Sequence, residues 1–184
     1  RNLWGKTDMS NLRLINETSV TGGTTTLSVT DVFSSDFDIY KITLEGFYAN
    51  TIDRIYLRLI NSSGSVISAS NYDTAFLEMM SSSSWNERKS VNYDSMIEAY
   101  SYIPNTEAEN YNAVFYLFNP ASSSSYSFSL WQSAKFEYSE VTCNKGIGVL
   151  KQTASMVGFQ FYTGILGGTF SGGKVRTYGL RVDS

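Results

Sequence analysis

The chain contains no histidine at all. That removes the commonest general base and the imidazole ligand, so composition excludes both a Ser-His-Asp arrangement and a zinc site of the Cys/His kind. There is one cysteine, Cys143, so no intrachain disulfide framework can form. A thiol nucleophile would lack its base, and Cys143 reads as a semi-buried structural thiol. Only 2 prolines interrupt the 184 residues. Charged side chains make up 17%, which is low for a soluble domain, and the net charge is −3. The lysines and arginines are scattered, with only Arg88 and Lys89 adjacent, so the basic patch of a nucleic-acid surface is missing. No apolar run approaches the ~18 residues of a membrane helix, so no membrane span is expected, and no leader peptide is visible.

What the chain does have is aromatic and hydroxyl side chains. It carries 13 tyrosines and 11 phenylalanines, and aromatics reach 15%. Tyr, Phe, Thr and Val favour strands. Alternation of apolar and polar residues recurs in short runs between Gly-, Ser- and Asn-rich turns. Residues 36–48 place Tyr40, Ile42 and Leu44 on one face and Lys41, Thr43 and Glu45 on the other. Residues 52–60 turn Ile55, Leu57 and Leu59 inward, and Asn61-Ser62-Ser63-Gly64 closes a hairpin. Residues 72–80 read as either strand or short helix, and the serine run 81–84 leads through Trp85 into an exposed loop. Residues 111–118 are apolar on both faces, the pattern of a central covered strand.

Two later runs assign a core. From 126 to 138 the alternation puts Tyr126, Phe128, Leu130, Ala134, Phe136 and Tyr138 inward and sends Trp131 out with Ser127, Ser129, Ser133, Lys135 and Glu137. Residues 141–150 form a strand broken at Gly146 and Gly148, the mark of a bulge. In residues 157–182, Val157, Phe159 and Phe161 on the first strand and Tyr178, Leu180 and Val182 on the last are assigned to the core. Arg176 shares the parity of Tyr178, so it must sit at an open end or pair with an acid. The doublets Gly167-Gly168 and Gly172-Gly173 serve turns; they open no helix, so they are no phosphate loop.

Taken together, the expected fold is all-β: a single antiparallel β-sandwich or jelly roll of about nine to eleven strands. Residues 21–184 form the sandwich, and residues 1–20, which do not alternate, form an irregular N-terminal arm. Leu3 and Trp4 in that arm are candidate assembly contacts on a neighbouring subunit, because an apolar Trp seeks a pocket. Trp85 in its loop and Trp131 on its polar face are candidates for a recognition surface.

No constellation spells out a reaction. Asp36 and Asp38 straddle Phe37 and share a face, but calcium needs 6–8 oxygens and no ligand loop surrounds them, so they read as strand-start residues. Glu107 and Glu109 lie in a loop, and Glu137 and Glu140 read as solvated edge charges. No cofactor and no metal are expected, and the chain is read as no enzyme.

Three motifs carry a family resemblance. They are V-F-S-S-D-F-D-I-Y-K-I-T-L at 32–44, the hairpin L-R-L-I-N-S-S-G-S-V-I-S-A-S-N-Y at 57–72, and the closing V-G-F-Q-F-Y-T-G through F-S-G-G-K-V-R-T-Y-G-L at 157–180. Together they resemble virion proteins of tailed bacteriophages, notably tail-fibre or capsid decoration proteins of marine and cyanobacterial phages. The resemblance implies a β-sandwich located in the virion, a structural subunit whose partners are other virion proteins. It would form a homo-oligomer such as a trimer. The alternative is a carbohydrate- or receptor-binding module that meets a host surface glycan.

Overall fold

The computed structural model describes residues 11–82, 85–96, 102–137 and 139–180. Thirteen strands run in chain order: β1 (Leu12–Ser19), β2 (Thr26–Val29), β3 (Ile39–Ala49), β4 (Asp53–Arg54), β5 (Tyr56–Asn61), β6 (Tyr72–Met80), β7 (Asn86–Tyr93), β8 (Tyr102–Ile103), β9 (Tyr111–Phe118), β10 (Ser127–Glu137), β11 (Glu140–Leu150), β12 (Met156–Tyr162) and β13 (Phe170–Leu180). A single turn of 3-10 helix, Glu107–Glu109, precedes β9. The fold is all-β, as the alternation predicts.

Eight strands form one antiparallel sheet in the order β1-β13-β3-β9-β10-β11-β6-β7, and three form a second in the order β2-β12-β5. The two pack as a sandwich. Tyr40, Ile42, Leu44, Phe115 and Leu117 of the large sheet meet Leu27, Leu57, Leu59, Phe159 and Phe161 of the small one in a single apolar cluster. The rings of Phe115 and Phe161 lie 5.6 Å apart across the interface. A jelly roll shares eight strands between two sheets; here the division is eight against three.

The three sequence motifs turn out to encode local closure. The Tyr40 hydroxyl donates to the Ser34 carbonyl at 2.9 Å and accepts from the Ser34 N–H at 2.7 Å, which ties the F-S-S turn to β3. In the hairpin, Asn61 Oδ1 accepts from the N–H groups of Ser63 and Ser65, and Gly64 takes the left-handed φ of 79°. Tyr72 returns to the same hairpin, donating to the Ile67 carbonyl and accepting from the Leu59 N–H. In β13, a Cβ at Gly172 would lie 2.4 Å from the Tyr48 ring.

The loop between β12 and β13 is held from beneath by Asp53. Its carboxylate is fully buried and accepts from the N–H groups of Gly164, Leu166 and Gly168, the last at 2.7 Å, and from that of Arg54. The glycine doublet 167–168 therefore does serve a turn, wrapped around an internal anion.

Three expectations change. Within residues 1–20, Leu12–Ser19 is a regular edge strand paired with β13; a bulge between Leu14 and Asn16 shifts the parity midway, which hides the alternation. Leu3 and Trp4 lie outside the described residues. The loop expected after Trp85 is instead β7, an edge strand whose charged N-E-R-K stretch suits an exposed position. Gly146 and Gly148 make no bulge, since β10 and β11 pair in continuous register. Gly146 lies opposite Trp131, where a Cβ would fall 2.3 Å from the indole, and a Cβ at Gly148 would fall 2.6 Å from the Met96 side chain.

Candidate functional site on the outer face of the large sheet

One face of the eight-stranded sheet is covered by the small sheet. No described residue covers the opposite face, and two of its adjoining files are apolar. On β10 the expected parity is inverted: Phe128, Leu130 and Phe136 stand on the outer side at 44–48% exposure, while Trp131 is 3% exposed. Ser127, Ser129, Ser133, Lys135 and Glu137 are buried with it. Trp131 packs between Phe115 and Phe76 in the core, so it contributes nothing to a recognition surface. Glu137 is not a solvated edge charge either. It forms a buried ion pair with Lys135, whose ammonium also donates to the Tyr102 carbonyl at 2.8 Å. On β13 the inward residues are Val175, Thr177 and Gly179, and Tyr178 and Leu180 face outward, against their assignment to the core.

The pairing register shows how this face is built. In antiparallel sheets, directly opposed residues point to the same side. One file across the sheet reads Leu12, Leu180, Ile39, Phe118, Phe128, Val149 and Asp73. The next reads Leu14, Tyr178, Lys41, Tyr116, Leu130, Ile147, Ala75 and Lys89. A third reads Glu17, Arg176, Thr43, Val114, Gln132, Lys145, Leu77 and Glu87. The first file is apolar over six strands, and the second has an apolar centre bracketed by lysines. With strands ~4.8 Å apart and same-side residues ~6.7 Å apart, the three files cover on the order of 800 Å², of which the two apolar ones make up about 400 Å². The apolar part is the size of the largest patch on a typical monomer, ~300–600 Å² and often functional, and the whole face matches one side of a standard protein interface, ~800 Å².

The face is hollowed. A groove of ≈ 1020 Å³ is lined by Tyr116, Leu130 and Ile147, and a second hollow of ≈ 550 Å³ over Phe128 and Val149 shares Leu130 and Ile147 with it. The charges divide into two groups. At the β1 side, Arg176 bridges Glu17 and Glu45, and Lys174 pairs with Glu17 at 3.0 Å. The Arg176 guanidinium holds both carboxyls below the usual carboxylate range. At the far edge Lys151 pairs with Asp73 and lowers its pKa in the same way. In the groove itself, Lys41, Lys89 and Lys145 form no ion pair with a described acid.

Trp85, the other recognition candidate, is 67% exposed just before β7. Asp36 and Asp38 form no cluster, and among the described residues no three His, Cys, Asp or Glu side chains gather as a metal site. No described helix is long and apolar enough to cross a membrane.

No protein-family model, curated protein or solved structure matches this chain.

The alternation leaves Arg176 either at an open strand end or paired with an acid, and it pairs with Glu17 and Glu45. The groove was not legible in the sequence, because an alternating strand says which residues share a face but not which face is covered. The signal available was Gly146 opposite Trp131: a glycine across from a tryptophan gives the ring a place to lie flat.

Proposed function

We propose that this chain is a non-enzymatic structural subunit of a larger particle and that it joins its neighbours through the outer face of the large sheet. The particle favoured by the motif resemblance is a bacteriophage virion, with the subunit in the tail or on the capsid. The observation that carries the docking role is that face: apolar in two adjoining files, of interface size as a whole and covered by no described residue. A chain with no histidine and a single cysteine suits a structural part better than a catalyst.

The test is incorporation. Particles are purified from cells carrying either the wild-type gene or Leu130→Asp, and the chain is quantified by mass spectrometry. The wild-type chain co-purifies as a particle component. Leu130→Asp cuts its amount at least about tenfold without moving its melting temperature, because Leu130 is half exposed and outside the core. Absence of the wild-type chain from particles, or incorporation of the variant at wild-type level, overturns the proposal.

Adsorption to a host-surface glycan is the second reading. It loses Trp131 to the core and rests on Trp85, whose exposed ring is free to stack on a sugar.

A further inference from the structure

We propose that the occupant of the groove is an amphipathic α-helix of a neighbouring protein, apolar along one stripe and acidic along its flanks. This rests on the docking role above and names the partner for it.

Shape comes first. The file through Leu130 has four apolar residues in adjacent strands, Tyr116, Leu130, Ile147 and Ala75, with Lys41 before them and Lys89 after them. Five strand intervals separate the two lysines, or ~24 Å. An α-helix with its side chains is ~10–12 Å across, so it fits between them with room for its own flanking side chains. Along the strands β10 offers 11 residues, or ~36 Å of floor, enough for a helix of ~20 residues. Covering one apolar sheet face with a helix is an ordinary layer arrangement in proteins.

Charge then selects the helix. Lys41, Lys89 and Lys145 all border the ≈ 1020 Å³ groove, and Glu87 is the one acid among the described residues that line it. The local surplus is positive in a chain whose net charge is −3. Acidic side chains flanking an apolar stripe would meet all three ammonium groups.

Other occupants fit less well. A second copy stacked face to face would bring the same lysines towards one another and oppose one hollow to another. A glycan would find aliphatic Leu130, Ile147 and Val149 over much of the floor.

The test uses two stapled helical peptides of about 20 residues, with the same leucine stripe and either glutamate or lysine on both flanks. Their binding to the full chain is measured by calorimetry at low and high salt. The glutamate peptide binds at least about tenfold tighter than the lysine peptide, and salt narrows the gap. Combining Lys41→Glu, Lys89→Glu and Lys145→Glu reverses the preference, and Leu130→Asp weakens both peptides at least about tenfold. All three lysines are surface residues, and circular dichroism confirms the fold of each variant.

The helix is overturned if neither peptide binds, if the two bind alike, or if the preference survives charge reversal. It is also overturned if sedimentation shows a dimer that Leu130→Asp abolishes, or if polygalacturonate outcompetes the glutamate peptide. Should the peptides fail while Leu130→Asp still keeps the chain out of particles, the docking role stands and the helix falls.

Discussion

Asp53 is an acid with no access to solvent, placed where chain folding alone needs an anion. Three N–H groups of the β12–β13 loop and one of its own neighbour converge on its carboxylate. Removing it would strand buried donors, each costing about 1–3 kcal/mol. Asp53→Ala is therefore expected to lower stability by about 3 kcal/mol or more in urea unfolding, and to speed amide exchange at Gly168. Unchanged exchange at Gly168 would show that the loop holds itself. Nothing in the sequence marks this residue. Asp53 follows Ile52 at the head of a strand-like run, and its partners in the β12–β13 loop lie more than 100 positions away. The Gly167-Gly168 doublet was readable as a turn; the anion inside it was not.

At the scale of the strand, the large sheet breaks the assumption that one side of a β-strand is apolar and one polar. In β3 the assumption works: Tyr40, Ile42 and Leu44 are core, and Lys41, Thr43 and Glu45 are not. In β10 the more apolar side faces out, and in β13 Tyr178 and Leu180 do, so the same logic chooses the wrong face. The sandwich was legible because period-2 alternation survives inversion; the docking face was not, because inversion is what defines it. The two sides of β10 can be told apart by substitution. Trp131→Ala should cost about 3–5 kcal/mol, as for a core aromatic. Phe128→Ala, half exposed, should cost about 1 kcal/mol or less. Equal costs in denaturant unfolding would contradict the observed parity.

For the molecule as a whole, surface ion pairs staple the sheet at both sides. Arg176 on β13 joins Glu17 on β1 to Glu45 on β3, and Lys151 joins Asp73 near the opposite edge. The pKa of each carboxyl is lowered from its ordinary value, 4.5 for the glutamates and 3.8 for the aspartate. The folded state thus favours their ionised forms. The stability they contribute is present above the ordinary pKa and lost as pH falls through the lowered ones. Melting temperature should hold down to about pH 4.5 and then decline, with a shallower decline in Arg176→Met and in high salt. A variant whose curve runs parallel to the wild type would show that these pairs do not drive the acid response. The groups are exposed, so the effect is modest.

The order β1-β13-β3 also imposes a sequence in time. The strand between the first and the third is made after all the other described strands. Until Phe170–Leu180 has left the ribosome, β1 has no ladder to join and β3 presents a naked edge. Pairings between such distant segments form slowly, and transiently open edges invite wrong partners. The nascent chain therefore waits with an unfinished sheet, and a chaperone or an early-arriving neighbour has its best opportunity before the final strand slides into place.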